Sequence, residues 1–573
     1  MMHGNDNTEG LRILYDSKEV KYKKPFGCLR QGEECRIRIG VPVTCPVVNV
    51  NLIIEREDGY KKTVPLMLAG QEGNYLYFEG TFSLNESGLY FYVFCFEKAD
   101  SSFTLYRCGD SDTNMEDGEK WQITCVSDDY FTPSSFEGKV VYQIFPDRFA
   151  KEGETDISEK LGPFTVHTDI SEPPLKGADE HGNWNSDFYG GNLKGIQSKL
   201  PYLKELGVGV IYFNPIFKAF SNHRYDTADF MKIDPMLGTD EDFSELCKEA
   251  EKQGIRIILD GVFSHVGSNS IYFDKDNVFG GGAVSDPDSP YRSWFDFKTY
   301  PDEYTCWWDI PTLPCINEMS DGYLDLIIRN EDSVIAHYLR LGASGFRLDV
   351  ADELPDEFIA MLRERVKEIN PDAIVIGEVW EDASNKISYN VRRKYFSGSE
   401  LDSVMNYVYR DAVINLLKKD KTPAEFIGTV NTIYENYPKS SLNCCMTLLS
   451  SHDTRRVRTM LENNVSDTVK ALKTASAIQY FLPGMPMIYY GDEVGMKGSD
   501  DPENREFFKC GENSDELLDH YRMLGRLRNE KDALRVGDLE ITECEGNLKI
   551  TRKTQNESIS LNVCVDELTF EIQ

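Results

Sequence analysis

Over the first 130 residues, polar and apolar side chains alternate in short runs: CRIRIGV at 35–41, VNVNLIIERE at 48–57, NYLYFEGTFSL at 74–84 and GLYFYVFCFE at 88–97. A period of two puts every second side chain on one face of a strand. Turn formers such as Glu57-Asp58-Gly59 and Asn85-Glu86-Ser87-Gly88 separate the runs at β-sandwich spacing. This pattern predicts an all-β sandwich domain over residues 1–130, with its boundary near Asp128-Asp129.

From residue 138 the pattern changes to strand then helix, repeated. Strand candidates are VVYQIFPDRF (140–149), VGVIYFNPIF (208–217), IRIILDGVFSH (255–265) and GFRLDV (345–350), followed by AIVIGEVW (373–380), LDSVMNY (401–407), CCMTLLSSHD (444–453) and MPMIYYGDE (485–493). Most are continuous β-branched or aromatic runs, as parallel strands covered on both faces require. Amphipathic helices are predicted between them, for example at 196–206 and 356–369. Eight βα units over roughly 380 residues point to a barrel with insertions, since a plain barrel needs about 250. An open doubly wound sheet is the alternative, but no G-x-G-x-x-G follows the first strand.

The fold expected is therefore α/β, a (β/α)8 TIM barrel over 131–265 and 324–530, behind the N-terminal β-sandwich. An inserted subdomain at 266–323, after barrel strand 3, is rich in Gly, Asp, Trp and Tyr, and loops of that length usually carry function. After a helix at 515–527, a short C-terminal β region is expected over 531–573.

Composition adds limits on partners. The chain has 573 residues, 62 Lys and Arg against 96 Asp and Glu, and a net charge of −34. That field repels phosphate backbones and anionic lipid, so no nucleic acid and no membrane partner is expected. No apolar run approaches the ~20 residues of a spanning helix. The opening MMHGNDNTEGLRILYDSKEV lacks the basic start and apolar stretch of an export signal. The fourteen cysteines contain no C-x-x-C pair. Without an export signal they read as reduced thiols in a cytoplasmic protein.

Candidate chemistry gathers where barrels place it, at the C-terminal ends of strands. Those ends carry Asp147, Asn214, Asp260 with His265, Arg347 with Asp349, Glu378, His452 with Asp453, and Asp492 with Glu493. Arg347 and Asp349 are two apart, so on a strand they share a face, and the guanidinium would keep the carboxylate ionised as a nucleophile requires. Glu378 follows an apolar strand and precedes Val379-Trp380; apolar surroundings would raise its pKa and suit it to donate a proton. Glycosidases use two such carboxyls, one ionised and one protonated. His452 and Asp453 offer a donor and an acceptor to sugar hydroxyls.

In order, DGVFSH (260–265), GFRLDVADE (345–353), GEVW (377–380) and LLSSHD (448–453) resemble the short motifs of the α-amylase family of glycoside hydrolases. The resemblance implies Asp349 as nucleophile, Glu378 as acid/base and Asp453 as transition-state stabiliser. Substrate-binding residues would be Tyr142, stacking on the reacting sugar, His265 and His452, bonding its hydroxyls, and Arg347, orienting Asp349, together with Asp260 and Trp380. LPCIN (313–317), VADE (350–353) and a β-sandwich ahead of the barrel are similar to the neopullulanase, cyclomaltodextrinase and maltogenic amylase subgroup, which places Glu353 near the acceptor side.

The substrates implied are α-glucan oligosaccharides, with α-1,4 and also α-1,6 cleavage in view. The sandwich in that subgroup helps form a homodimer and closes over the site. Transglycosylation on the same scaffold, and a non-catalytic glucan-binding protein, are the alternatives. No cofactor is expected. The family's calcium loop is replaced by Lys151-Glu152-Gly153, and Asn192 stands where an Asp ligand is common. A lysine offers Ca²⁺ no oxygen and repels it, so a calcium ion would need another set of ligands.

Overall fold

The computed structural model describes residues 11–109, 112–180, 182–510 and 514–573. In the N-terminal domain, Glu34–Pro42, Asn49–Glu55, Tyr75–Ser83, Gly88–Glu97 and Trp121–Val126 form strands whose alternate residues are buried. Ile37, Ile39, Leu52, Phe94 and Trp121 meet in one apolar core. The strand Lys61–Glu72 was not expected, because KKTVPLMLAGQE lacks clean alternation. It pairs with Asn49–Glu55 through its first half and with Tyr75–Ser83 through its second. A register shift between Leu68 and Gly70 lets one strand serve both sheets.

Eight parallel strands then close into a barrel: β1 (Val140–Ile144), β2 (Val208–Phe213), β3 (Arg256–Gly261), β4 (Gly345–Leu348), β5 (Ile374–Gly377), β6 (Ser403–Asn406), β7 (Met446–Leu448) and β8 (Met485–Tyr489). Each pairs with its sequence neighbour, and β8 returns to β1. The alternation splits the core in two. Val141, Val210, Tyr212, Ile258, Ile376, Met446 and Met487 fill the barrel, while Tyr142, Ile211, Leu259 and Val375 face the helical layer. All eight strands are shorter than the apolar runs that announced them, because each run's end turns out of the sheet into the site.

The helix Asp356–Ile369 shows why these sequences become outer helices. Phe358, Ile359, Leu362 and Val366 recur at helical spacing and are buried. Pro355 precedes the first turn, and Asp356 and Glu357 favour the positive end of the helix dipole. A four-stranded antiparallel sheet, Asp538–Cys544 to Thr569–Ile572, packs behind the helix Thr468–Phe481.

The N-terminal domain meets the barrel's flank. Lys23 Nζ lies 3.1 Å from Glu435 Oε1 with both side chains buried, and Ser17 Oγ donates to Glu435 Oε2. Thr124 Oγ1 donates to the Asn436 carbonyl, Gln122 to Ser384 Oγ, and Arg392 Nη2 meets Glu57. Among the described residues these contacts reach the helix Pro423–Asn436 and the segment after β5, and none reaches Asp349, Glu378 or Asp453.

A buried ion pair resists the loss of one member more than the loss of both. Lys23→Ala strands the Glu435 carboxylate and should cost about 3 kcal/mol or more against chemical denaturation. The double variant Lys23→Met/Glu435→Leu should recover most of that loss; equal stability of wild type and Lys23→Ala would remove the pair from the domain junction.

Candidate active site

The site forms around one buried guanidinium. Arg347 stands on β4 opposite Asp260 of β3 and Ile376 of β5. Its Nη1 donates to Asp260 Oδ1 at 2.8 Å and to Asp349 Oδ1 at 2.7 Å. Its Nη2 comes within 2.8 Å of Glu378 Oε2 without donating along an N–H direction, so this is a charge contact. Asp349 leaves the end of β4 with its amide on the Gly261 carbonyl.

Val350 follows with φ 37°, a left-handed backbone that is costly for a β-branched residue. That turn aims the Val350 amide at Glu378 Oε2, 2.9 Å away, while Trp380 Nε1 donates to Oε1 at 3.1 Å. Gly377 precedes Glu378 because a Cβ there would come within 2.5 Å of Leu401 Cδ1 and 3.1 Å of Ala351 Cβ. The apolar surroundings expected for Glu378 are corrected by these contacts: an amide, an indole N–H and a guanidinium surround it, since the β4 turn crosses its carboxyl group.

On the opposite rim, Asp453 follows β7 with its side chain 32% exposed. Its Oδ2 lies 3.0 Å from His452 Nε2 and its Oδ1 3.6 Å from Arg505 Nη2. Arg505 also donates to the His452 carbonyl. His452 takes a hydrogen bond at Nδ1 from Gln143 Nε2, so the proton of a neutral ring sits on Nε2, facing Tyr225 and Asp453. Burial and the charges of Arg505 and Arg347 hold its pKa well below the usual value, so it stays neutral. Tyr225 stacks on His452 at 5.3 Å and donates to Asp260 Oδ2.

His265, after β3, is buried with its pKa pushed down to about 4. Ser264 Oγ lies 3.0 Å from His265 Nδ1, and Nε2 has no hydrogen-bond partner among the described residues. Its ring packs on Trp307 of the inserted subdomain. Glu353, on the short turn Ala351–Glu353, accepts from Trp308 Nε1 and Tyr389 Oη. Trp380 is 46% exposed and stacks on Tyr407 at 4.1 Å.

Two expected binding residues are not open to a sugar. Tyr142 is buried in the outer layer with its hydroxyl on Glu493 Oε1, so it presents no face to a sugar. Val141 faces inward and Gln143 reaches His452, which sends Tyr142 outward by strand alternation. Asp260 is buried beneath Arg347, Tyr212 and Tyr225 and orders those side chains. Three other strand-end acids are structural: Asp147 pairs with Arg148, Asp492 with Arg456, and Glu493 accepts from Tyr142 and Tyr202. Tyr225, Arg505, Trp307 and Trp308 were not singled out in the sequence. SNHRYDTADF after β2 was the available signal for Tyr225.

The first-strand loop does not fit a divalent cation. Asn192 Oδ1 accepts from the amides of Gly195 and Glu152, and its Nδ2 donates to the Glu152 carbonyl. The Lys151 ammonium lies against Gly190, where a Cβ would come within 3.0 Å of Nζ. The amide is spent on closing the loop, and a cation stands beside it.

One guanidinium serves three carboxylates, and burial dominates the titration of Asp260 and Asp349. Asp349 is pushed well above the usual range by burial, with Glu378 and Asp260 adding to it and Arg347 opposing. The expectation that the guanidinium of Arg347 keeps Asp349 ionised is corrected to this extent: Arg347 favours the ionised form but burial outweighs it, because its charge is divided. Asp453 is pushed up to about 7 by burial and then by Glu378, against Arg505 and Arg347. A raised acid pKa means that the folded chain binds more protons than the unfolded one, so stability falls as pH rises from 3.8 to about 7. Asp453→Asn should therefore raise the melting temperature at pH 8 more than at pH 5 and flatten its decline between pH 5 and 8, to a degree lessened by the side chain's exposure. A melting curve that moves equally at pH 5 and pH 8 would contradict this account.

The family described as the α-amylase catalytic domain matches residues 143–536. An amylopullulanase of Thermoanaerobacter thermohydrosulfuricus is 33% identical, covering 94% of this chain and 40% of that protein. Neopullulanase 2 of Thermoactinomyces vulgaris is 34% identical, covering 72% of this chain and 66% of that one. A solved cyclomaltodextrinase structure superposes with a TM-score of 0.66 at 26% identity, over 96% of this chain and 91% of its own. The chain spans between 31% and 45% of the length of the amylopullulanases it matches. With the closed barrel and the clustered carboxylates, a match across the whole catalytic domain makes this chain a member of the α-amylase family of glycosidases.

Proposed function

We propose that this chain is a retaining hydrolase of α-1,4-glucosidic bonds, with α-1,6 bonds also in reach, acting on maltooligosaccharides, cyclodextrins or pullulan. The observation that carries this reading is the placing of Asp349 and Glu378 on the two ends of one guanidinium. Carboxyls bridged in that way suit the separation of a retaining pair, about 5–5.5 Å. One positive charge is divided among three acids, so their charges are only partly offset. In the mechanism proposed, Glu378 supplies the proton to the leaving group and Asp349, with the direct hydrogen bond from Arg347, attacks as the carboxylate.

Asp349 attacks the anomeric carbon as Glu378 protonates the departing glycosidic oxygen. An ester to Asp349 forms with inversion. Glu378 then takes a proton from water, whose oxygen attacks the same carbon; the ester breaks with a second inversion. Asp453, His452 and Arg505 hold the hydroxyls of the distorted sugar, where neutral His452 can donate through Nε2.

The names of the relatives, amylopullulanase, neopullulanase and cyclomaltodextrinase, support α-glucans of this kind. Fourteen unpaired thiols support a reducing, cytoplasmic setting, and no helix among the described residues is long and apolar enough to cross a membrane. Exposed Met67 and Leu68 on the sandwich strand Lys61–Glu72 support a homodimer through that domain. The chain works without calcium at the first-strand loop, a reading supported by Lys151 and the spent Asn192 amide.

Asp349→Asn should lower kcat on maltotriose by at least 10⁴-fold, on the scale of losing a covalent nucleophile. Glu378→Gln should lose as much on maltotriose but recover on α-glucosyl fluoride, whose leaving group needs no proton. NMR of early products should show the α-anomer first; initial β-anomer would overturn the mechanism. Treatment with EDTA should leave both activity and melting temperature unchanged, and a drop of several degrees reversed by Ca²⁺ would show that other oxygens hold the ion.

A further inference from the structure

The turn that follows Asp349 cannot hold its own shape. Val350 sits at φ 37°, and Ala351–Glu353 is a single 3-10 turn. A turn so short leaves carbonyls at its end without backbone partners. Yet two of its amides set the acid. The Val350 amide donates to Glu378 Oε2 at 2.9 Å, and the Ala351 amide to the Glu378 carbonyl at 3.2 Å. Strained backbone of this kind persists where the surroundings over-determine it.

Those surroundings come from the segment after β5. Its hairpin, Ile387–Ser388 with Val391–Arg392, delivers Arg393, which is buried. Arg393 Nη2 donates to the carbonyls of Ala351 and Leu354, and Nη1 to that of Asp352. Nη2 also lies 2.9 Å from Asp356 Oδ1, in the first turn of the helix Asp356–Ile369. One planar fork therefore spans the whole turn, a geometry that a lysine cannot copy. The same segment holds Asp352. Tyr395 Oη donates to its Oδ1 at 2.6 Å, Lys386 Nζ lies 3.0 Å from its Oδ2, and Ser388 Oγ donates to its carbonyl. Among the described residues, Arg393 makes no hydrogen bond or ion pair with Asp349, Glu378 or Asp453.

We propose that Arg393 is a positioning residue for proton transfer: it pins the turn after β4 and, through the Val350 amide, fixes the orientation of the Glu378 carboxyl group. This inference rests on the α-glucosidic reading above, with Glu378 as the acid. The charge of Arg393 is spent on carbonyl dipoles and Asp356, so it acts on Glu378 through geometry. Without it, Val350 is free to relax to an ordinary φ, and its amide swings away from Oε2. Asp349 loses less. Its own amide is held by the Gly261 carbonyl, and its carboxylate by Arg347 directly. Removal of Arg393 therefore falls on the step that needs an acid, and spares the attack.

The test separates proton donation from nucleophilic attack. The ratio kcat/KM reports events up to formation of the ester, in which maltotriose needs an acid and α-glucosyl fluoride does not. Arg393→Ala should lower kcat/KM on maltotriose by about tenfold or more, part of the roughly 10²–10⁴ that a positioned acid supplies, and on α-glucosyl fluoride by less than about twofold. Arg393→Lys keeps the charge but not the fork and should lose nearly as much on maltotriose. Arg393 lines a cavity of about 520 Å³ between the N-terminal domain and this segment, so free guanidinium can enter. At millimolar concentration it should restore maltotriose turnover in Arg393→Ala and leave the wild type unchanged. Should circular dichroism show that Arg393→Ala does not fold, Arg393→Lys is judged by the same two substrates. Equal losses on maltotriose and the fluoride, or no loss on either, would overturn the proposal. If the wild type hydrolyses neither substrate, the α-glucosidic reading itself fails.

Discussion

Arg347 holds a full positive charge inside the barrel, out of contact with solvent, and the site depends on that placement. A buried charge is tolerated only with partners, and three acids supply them from three neighbouring strands: Asp260 from β3, Asp349 from β4 and Glu378 from β5. The parallel register sets the guanidinium beside Asp260 and across from Ile376, so both flanking strand ends fall within its reach. Without it, three carboxylates would face one another in an apolar barrel. With it, their charges are partly offset.

The same arrangement draws on stability made elsewhere. The folded chain bears acids displaced upward by burial and a strained Val350 in the turn between Asp349 and the amide that faces Glu378. What offsets this is the scaffold below: a filled barrel, a continuous apolar layer between strands and helices, and a domain junction closed by Lys23 and Glu435. At the far end Arg528 and Arg552 donate to carbonyls at the end of the helix Thr468–Phe481, including Tyr480, Phe481 and Gly484. Positive charge at a helix C-terminus is favourable, so these two buried arginines have carbonyl dipoles as partners.

The cleft has two unlike walls. The wall from β7 and the segment after β8 presents His452, Asp453 and Arg505, polar groups suited to hydroxyls. The wall from the inserted subdomain and the loops after β4 and β5 presents Trp308, Trp380 and Tyr389. Polar groups close to the reacting carbon stabilise developing charge, whereas rings farther out gain from the apolar face of a sugar. The N-terminal domain supports this second wall indirectly, through Glu57 on Arg392 and Gln122 on Ser384, within the same segment as Tyr389.

Much of this was legible in the linear sequence. Eight β-branched or aromatic runs fell on the eight barrel strands, and the helix predicted at 356–369 is Asp356–Ile369. Local patterning sufficed there because a strand or helix follows from the side chains of its own few residues. The pairing of Arg347 with Asp349 on one face was equally local, following from a spacing of two. Tyr142 shows where that reasoning ends: a strand buried on both faces is apolar throughout, so its sequence carries the alternation but not which set points inward. Closure of the barrel decided that, turning Gln143 toward His452 and Tyr142 toward Glu493.

Closure likewise buried Asp260, divided the charge of Arg347 and brought Arg505 to Asp453 from 52 residues away. The clasp of Trp308 and Tyr389 on Glu353 joins three loops far apart in sequence. The linear pattern of residues was enough to mark which side chains are candidates for chemistry and at which strand ends they stand. Which of them share a charge depended on the closed fold, because electrostatic coupling follows distance through a low-dielectric interior and not separation along the chain.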